Sequence, residues 1–395
     1  MSQAVPADGP LPCQRHHFSL PEDFHYLNCA YMGPLPLAAE RAGIEGLRAK
    51  RFPHAIAPED FFRPADELRA RFARLVNAPE PNRVATVPSV SYAVSTIARN
   101  TGTGPGRNIV IVHEQFPGNV YPWRRLVEEK GGELRVVEPR GDGVRGEGWT
   151  ERILDRIDGG TAAVAMGTVH WTDGTRFDLN AVRERTGAVG AALIVDGTQT
   201  VGAVPFDVQA LAPDALVVAA YKWLLGPYSL SLAWFGERYL DGIPLEETWI
   251  GRRDSENFAG LVDYVDDYQP GALRFDVGQR SNFALIPALS ASLDLVLAWR
   301  PERVSDYCRA LMADALPRLR ELGLRVEADR WRSPHLFGLG LPKEVDAERL
   351  KEVLARHRVG VSFRGSSVRV SPYVYNDRTD ADALVAAFAE VMAGC

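Results

Sequence analysis

Between residues 83 and 235 one unit recurs: a short apolar run ends abruptly in a polar loop and gives way to a helical or connecting segment. "RVATV" (83–87) leads into "PSVSY", "NIVIV" (108–112) into "HEQFPGN", and "TAAVAM" (161–166) into "GTVHWTDGT". "AALIV" (191–195) leads into "DGTQ", and "ALVVAA" (215–220) into "YKW". Runs this short and β-rich, separated by helix-length segments, predict a largely parallel α/β sheet covered on both faces. In such sheets ligands sit outside the carboxyl ends of the strands. All of these polar loops fall at that end, so they can converge on one site.

The last run extends to "ALVVAAYKWLLGPYSLSLAWF" (215–235), in which Lys222 is the single charged residue. At 21 residues it is the one candidate for a membrane span. A central lysine costs roughly 2.5–3.5 kcal/mol on insertion scales, and Gly226-Pro227 interrupts the run. The expectation is therefore a buried strand, a functional turn carrying Lys222, and a second apolar strand.

Beyond about residue 275 the texture changes. "NFALIPALSASLDLVLAW" (282–299) predicts a long helix with Asn282 as its N-cap. Strand-like "LRVEA" and "HLFGLGL" follow, then an amphipathic helix from Asp346 to near Gly360. "VGVSFRGSSVRVSPYVY" predicts a two-stranded hairpin around Arg364-Gly365, and a last helix begins at Thr379 or Asp380. This C-terminal part is α+β. The expected organisation is an N-terminal arm (1–25), a large domain (26–275) and a small C-terminal domain (276–395). The length of 395 residues suits two domains.

The formal net charge of −6 leaves no basic excess for a dedicated nucleic-acid binder. Cys13, Cys29, Cys308 and Cys395 are far apart and form no CxxC pair and no cysteine–histidine spacing, so neither a disulfide framework nor a metal site is expected. "MSQAVPADGPLPCQRHHFSL" has no apolar core of a signal peptide and predicts a loose polar arm. A reducing cytoplasm, with no membrane and no nucleic-acid partner, is the expected setting.

Two loop residues carry the chemistry. Asp196 follows "LIV" at a strand end, and Lys222 stands at the end of another strand 26 positions later. An acid at one strand tip and a lysine at a neighbouring one is what pyridoxal 5'-phosphate requires. The lysine forms a Schiff base with its aldehyde, and the acid keeps the pyridine nitrogen protonated so that the ring can accept electrons. Taken alone, the pair reads first as an Asp–Lys salt bridge.

Context reverses that order. "LIVDGTQTVGAVPFDV" followed by "YKWLLGPYSL", with its D-x-x-Q…(Y/H)-K-W spacing, resembles the class V aminotransferase and cysteine desulfurase superfamily. These are fold-type-I pyridoxal-phosphate enzymes, a group that includes kynureninase, selenocysteine lyase and isopenicillin N epimerase-like proteins. The resemblance runs from "YLNCAYMGPLP" to "VRVSPYVYN". It implies an α/β fold with a mostly parallel seven-stranded sheet in the large domain, a smaller α+β domain, and a homodimer with its sites at the interface.

The resemblance also implies roles. Lys222 matches the Schiff-base lysine that later moves protons at the substrate's Cα. Asp196 matches the acid on the pyridinium, Gln199 the donor to the phenolic oxygen, and Tyr221 a phosphate ligand. Ser89, Val90 and Ser91 in "VPSVSYAVSTIARN" match the phosphate loop at a helix start. Phe116 is the candidate for stacking on the pyridine ring. His170, Trp171 and Asp173 are expected on the substrate side, His170 with a catalytic role and Asp173 near the cofactor; a metal role for His170 is not expected. Gln279 and Arg280 fall where relatives reach the phosphate of the neighbouring subunit, with Gln279 in place of a threonine. Arg369 matches the arginine that pairs with a substrate α-carboxylate, although Arg364 lies nearby, and Asn28 a residue that approaches the substrate.

One departure narrows the chemistry. "GVSFRGSSVRVS" between Gly360 and Ser371 holds no cysteine, and neither Cys29 nor Cys395 matches the persulfide-forming position. A persulfide-forming desulfurase is therefore disfavoured. The reading is a pyridoxal-phosphate enzyme acting at Cα or Cβ of a small amino acid or amino-acid-derived substrate, a transaminase or Cβ lyase. The alternatives are an epimerase or kynureninase-like hydrolase, and then a non-catalytic binding protein of the same fold.

Overall fold

The apolar runs become strands of one seven-stranded sheet, seen in a computed structural model that describes residues 9–140, 145–365 and 367–393. In chain order the strands are β1 (Val84–Val87), β2 (Asn108–Val112), β3 (Glu133–Val137), β4 (Thr161–Gly167), β5 (Ala192–Asp196), β6 (Ala215–Ala219) and β7 (Ser231–Phe235). Their spatial order is β1-β7-β6-β5-β4-β2-β3. β7 runs antiparallel to both of its neighbours, and every other pairing is parallel. The carboxyl ends of six strands thus share one edge, as the recurrent sequence unit predicts. The reversal at β7 follows from the short turn after β6, which sends the chain straight back and carries Lys222.

Each central strand feeds two cores, which is why its sequence is continuously apolar rather than alternating. Val110, Val164, Leu193, Val195, Leu216 and Val218 face one side. Ile109, Ala163, Ala165, Ile194 and Val217 face the other. β3 was not anticipated. It is an edge strand, largely half-exposed, and its "ELRVV" carries charges that blunt an open edge and mask the apolar pattern.

The C-terminal part forms a three-stranded antiparallel sheet of β8 (Phe337–Gly340), β9 (Ser362–Arg364) and β10 (Ser367–Val370), in the order β9-β10-β8. β9 and β10 are the expected hairpin. Behind it lie helices Ala347–Arg356 and Arg378–Met392, capped by Asp346 and Asp377. "LRVEA" contributes only an isolated bridge between Arg325 and Gly340. The helix expected from residue 282 begins at Leu285, although Asn282 Oδ1 still accepts the amides of Ala284 and Leu285.

Residues 9–20 pack against the body of the protein: Gln14 N donates to Val374 O at 2.7 Å, and Leu11 and Phe18 are buried in the same core as Trp299 and Tyr375. Two apolar side chains inside a polar stretch are enough to anchor it. Residues 1–8 of the expected arm lie outside the described residues. Among the described residues no helix is long and apolar enough to cross a membrane.

Candidate active site

β5 ends on Asp196, whose Oδ1 accepts the amide of Thr198 at 3.0 Å. Thr198 Oγ1 in turn accepts the amide of Ala219 at the tip of β6, at 3.1 Å. The two strand tips are thereby fastened together, with the acid of one set against the turn that follows the other. Burial pushes the Asp196 carboxyl above the usual carboxylate range.

The turn after β6 is held from both sides. Gly33 N donates to Tyr221 O at 2.9 Å, and Gly226 N to Ala220 O at 2.8 Å. A Cβ on Gly33 would lie 2.2 Å from Lys222 O, and one on Gly202, whose φ is +102°, would lie 2.4 Å from Trp223 O. The turn therefore admits only glycine at these approaches. Lys222 is 5% exposed, its Nζ lying 5.4 Å from the Phe116 ring centroid and 5.5 Å from that of Tyr221. Burial, then the nearby Arg369 guanidinium, brings its ammonium down to about 7. Among the described residues Lys222 and Asp196 form no ion pair with each other or with any other residue. The salt-bridge reading of this pair does not hold.

Gln199 is oriented by its surroundings. Its Oε1 accepts the indole N–H of Trp223 at 3.1 Å, and its Nε2 donates to Ala30 O at 3.3 Å. The second amide proton is left for the cavity. Below it, His335 Nε2 donates to Gln199 O at 2.6 Å, and Ser333 Oγ lies 2.9 Å from His335 Nδ1. Burial pushes His335 down to about 4. Trp223 and His335 were not singled out in the sequence. Trp223 had a signal in its place beside Lys222, but His335, 136 residues from Gln199, had none.

Ser89 is the N-cap of the helix Val90–Arg99: its Oγ accepts Tyr92 N at 3.1 Å and lies 3.0 Å from Ser91 Oγ. A helix start with free amides and two hydroxyls is suited to an anion. Ser89, Val90, Ser91, Phe116, Asp196, Gln199, Tyr221 and Lys222 all line one cavity of about 310 Å³. Phe116 packs edge-on to Trp171, which also lines it, with centroids 5.3 Å apart.

His170 lines this cavity with both ring nitrogens engaged. Nε2 donates to His113 O at 3.0 Å, and Nδ1 accepts from Thr172 Oγ1 at 2.6 Å. Burial lowers its pKa by opposing the charged form. Asp173 stands back from the lining. Its Oδ1 accepts Thr175 N at 3.0 Å and its Oδ2 pairs with Arg145 at 3.0 Å, so it ties the loop.

Arg369, 1% exposed, donates Nη1 to Trp171 O at 2.9 Å, while its Nε and Nη2 are buried without an acceptor. Those two atoms form one edge of the guanidinium fork, the geometry that grips a carboxylate. Asn28 is buried, its Oδ1 accepting from Ser362 Oγ at 2.8 Å. Gln279 (φ +61°) and Arg280 lie apart from this cavity. Arg280 pairs with Asp276 at 2.8 Å, and Asp276 also binds Arg69 and the amide of Thr86. Cys395 lies outside the described residues.

The residues present fit pyridoxal phosphate. A buried carboxylate lacks a cation, a buried amine lacks an anion, and a helix start with two hydroxyls opens on the same space. These are the complements of a pyridine nitrogen, an aldehyde and a phosphate. The arginine fork nearby complements a substrate carboxylate.

Comparison with known proteins agrees with this geometry. The family model for class-V aminotransferases matches residues 57–384. An uncharacterized aminotransferase of Bacillus subtilis, YcbU, is 27% identical over 314 residues, covering 79% of this chain and 80% of that protein. A cysteine desulfurase of Salmonella newport is 28% identical over 260 residues, covering 65% of this chain and 62% of its own length. The chain thus spans under two thirds of the length of that desulfurase. Among solved structures, the cysteine desulfurase CsdA of Escherichia coli superposes with a TM-score of 0.81 at 18% identity, covering 96% of this chain and 97% of its own. The cystine C–S lyase C-DES, in complex with cysteine persulfide, superposes with a TM-score of 0.83 at 17% identity, covering 94% and 98%. At such identities the structural likeness concerns the fold.

Proposed function

The chain belongs to the class-V aminotransferase family of pyridoxal-phosphate-dependent enzymes, and on that premise we propose that it acts at Cα and Cβ of a small amino acid, as a Cβ lyase or transaminase. The observation that carries this reading is a pair of groups lining one cavity without an ion-pair partner among the described residues, Lys222 and Asp196, with the unsatisfied Nε/Nη2 edge of Arg369 held next to it on the carbonyl of the lining residue Trp171. Asp196 would hold the pyridine nitrogen, Gln199 the phenolic oxygen, Ser89 and Ser91 with the helix start the phosphate, and Phe116 the ring face. When bound, the cofactor supplies an aldehyde for the amino group and a ring that accepts the electron pair left at Cα.

Arg369 would take the substrate α-carboxylate bidentately and so fix which bonds of Cα face the ring. Lys222, held near neutrality by its dry setting, would take the Cα proton and return it elsewhere. His170 has no free ring nitrogen, which leaves Lys222 as the amine or imidazole base of the cavity. One mobile base suits elimination or transamination better than epimerisation, which needs proton donors on both faces of Cα. Within the family, the cysteine-free β9–β10 hairpin argues against sulfur uptake by the protein itself. A homodimer in the cytoplasm, with Gln279 and Arg280 near the partner's phosphate, completes the proposal.

The test is incubation of the loaded enzyme with an amino-acid panel, following keto acid, sulfide, alanine and racemised product together. Pyruvate with ammonia, or a keto acid matched by a new amino acid, supports the reading. Racemised substrate as the main product overturns it in favour of an epimerase.

A further inference from the structure

The β9–β10 hairpin carries two arginines, and the reading above uses one. Its antiparallel register pairs Ser362 with Arg369 and Arg364 with Ser367. Residues two apart on a strand share a face, so Arg364 and Arg369 project from the same side of the hairpin as diagonal neighbours. Both guanidinium groups stand over the Trp171 ring, Arg364 at 5.3 Å and Arg369 at 5.9 Å from its centroid. Trp171 lines the cavity.

Neither arginine has a carboxylate partner among the described residues. Arg364 donates Nη1 to the adjacent carbonyl of Phe363 at 2.6 Å, and its Nε is buried without an acceptor. The region therefore gathers two guanidinium groups, Arg364 and Arg369, beside the buried amine of Lys222, and among the described residues neither guanidinium meets a carboxylate. Asp196 would be matched by the cofactor's pyridinium and Arg369 by one substrate carboxylate. A second guanidinium beside the first, unpaired and partly desolvated, costs free energy unless an anion arrives to meet it.

We propose that Arg364 is a specificity-determining residue, forming with Arg369 a two-guanidinium receptor for an amino acid whose side chain carries a second anionic group. The group is a carboxylate or a sulfur oxyacid; both present the oxygens that a guanidinium fork accepts. The inference rests on the proposed binding of an amino acid at Arg369.

The test is titration calorimetry of the cofactor-loaded protein with unreactive acids that lack the amino group: succinate and 3-sulfopropanoate against butyrate. Wild type is expected to bind one or both diacids at least about tenfold more tightly than butyrate, the worth of one charge-assisted contact. Which diacid wins separates a carboxylate from a sulfur oxyacid. Arg364→Gln is expected to bring the diacid-to-monoacid ratio to about one, and Arg364→Lys, which keeps the charge but not the fork, to restore part of it. Arg369→Gln is expected to weaken all three acids. A wild-type ratio near one, or an equal loss of diacid and monoacid affinity in Arg364→Gln, overturns the proposal. Cofactor loading is read separately from the visible band, and the same titration of apo-protein applies the same criterion. A protein that never takes up the cofactor thus rejects the enzyme reading without deciding the arginine pair, which the ratio alone decides.

Discussion

Trp223 donates its indole N–H to Oε1 of Gln199 at 3.1 Å, and this bond decides which end of the amide is offered to the cavity. With Oε1 occupied and Nε2 bound to Ala30 O, one amide proton of Gln199 remains for a group held in the cavity it lines. The residue after the lysine thus positions the residue that would tune the cofactor.

Trp223→Phe should leave Gln199 Oε1 buried without a donor, at a cost of about 1–3 kcal/mol. Thermal unfolding should show the loss, and the visible band of the loaded protein should shift as the amide rotates. An unchanged band would separate Gln199 orientation from the cofactor environment.

Lys222 should react as a neutral amine at far lower pH than a lysine with the ordinary value of about 10.4. Acylation of apo-protein, mapped by peptide, should rise for Lys222 through pH about 7. Arg369→Gln removes the second cause of this depression, so the midpoint should move upward. Lys222→Ala should lose the yellow band that borohydride abolishes in wild type, and activity should fall by about 10²-fold or more.

Ser89→Ala removes both a helix cap and a hydroxyl on the candidate phosphate site. The cap is worth about 1 kcal/mol of stability. The distinguishing readout is cofactor affinity: Ser89→Ala should weaken it, whereas Asp178→Ala, which removes the cap of the helix Leu179–Val189, should cost stability alone.

His335 should make the protein acid-sensitive. Its folded value, about 4, lies below the ordinary 6.5, so between these pH values the unfolded chain binds the extra proton. Stability from this group is present above about pH 6.5 and is lost as pH falls toward 4. His335→Gln, an uncharged substitute able to donate to Gln199 O, should flatten unfolding free energy against pH in that window. An equally steep slope in the variant would assign the acid sensitivity to other groups.

The strand tips were legible because their chemistry is local. A polar residue ending an apolar run has few explanations, and Asp196, Gln199, Lys222 and Ser89 stand in such places. The mostly parallel sheet followed from the same runs, save β3, whose charged edge hides the pattern; its count of seven strands followed from the family resemblance. Less legible were residues whose surroundings come from remote segments. His170 occupies the expected place, yet its ring nitrogens are taken by His113 O and Thr172, and Asp173 is held by Arg145 rather than facing the cavity.

The sequence by itself determined most of the strands of the sheet, because hydrophobic periodicity is a property of neighbours along the chain, and its resemblance to a known family named the candidates for holding the cofactor. Tertiary structure alone decided that Lys222 and Asp196 stay unpaired, that Trp223 and His335 fix Gln199, and that Arg364 shares a face with Arg369. The first two depend on desolvation and on partners brought from elsewhere in the chain, and the third on the register of one hairpin. Burial is a property of the folded whole, and it is burial that makes an amine reactive and an unpaired guanidinium a binding site.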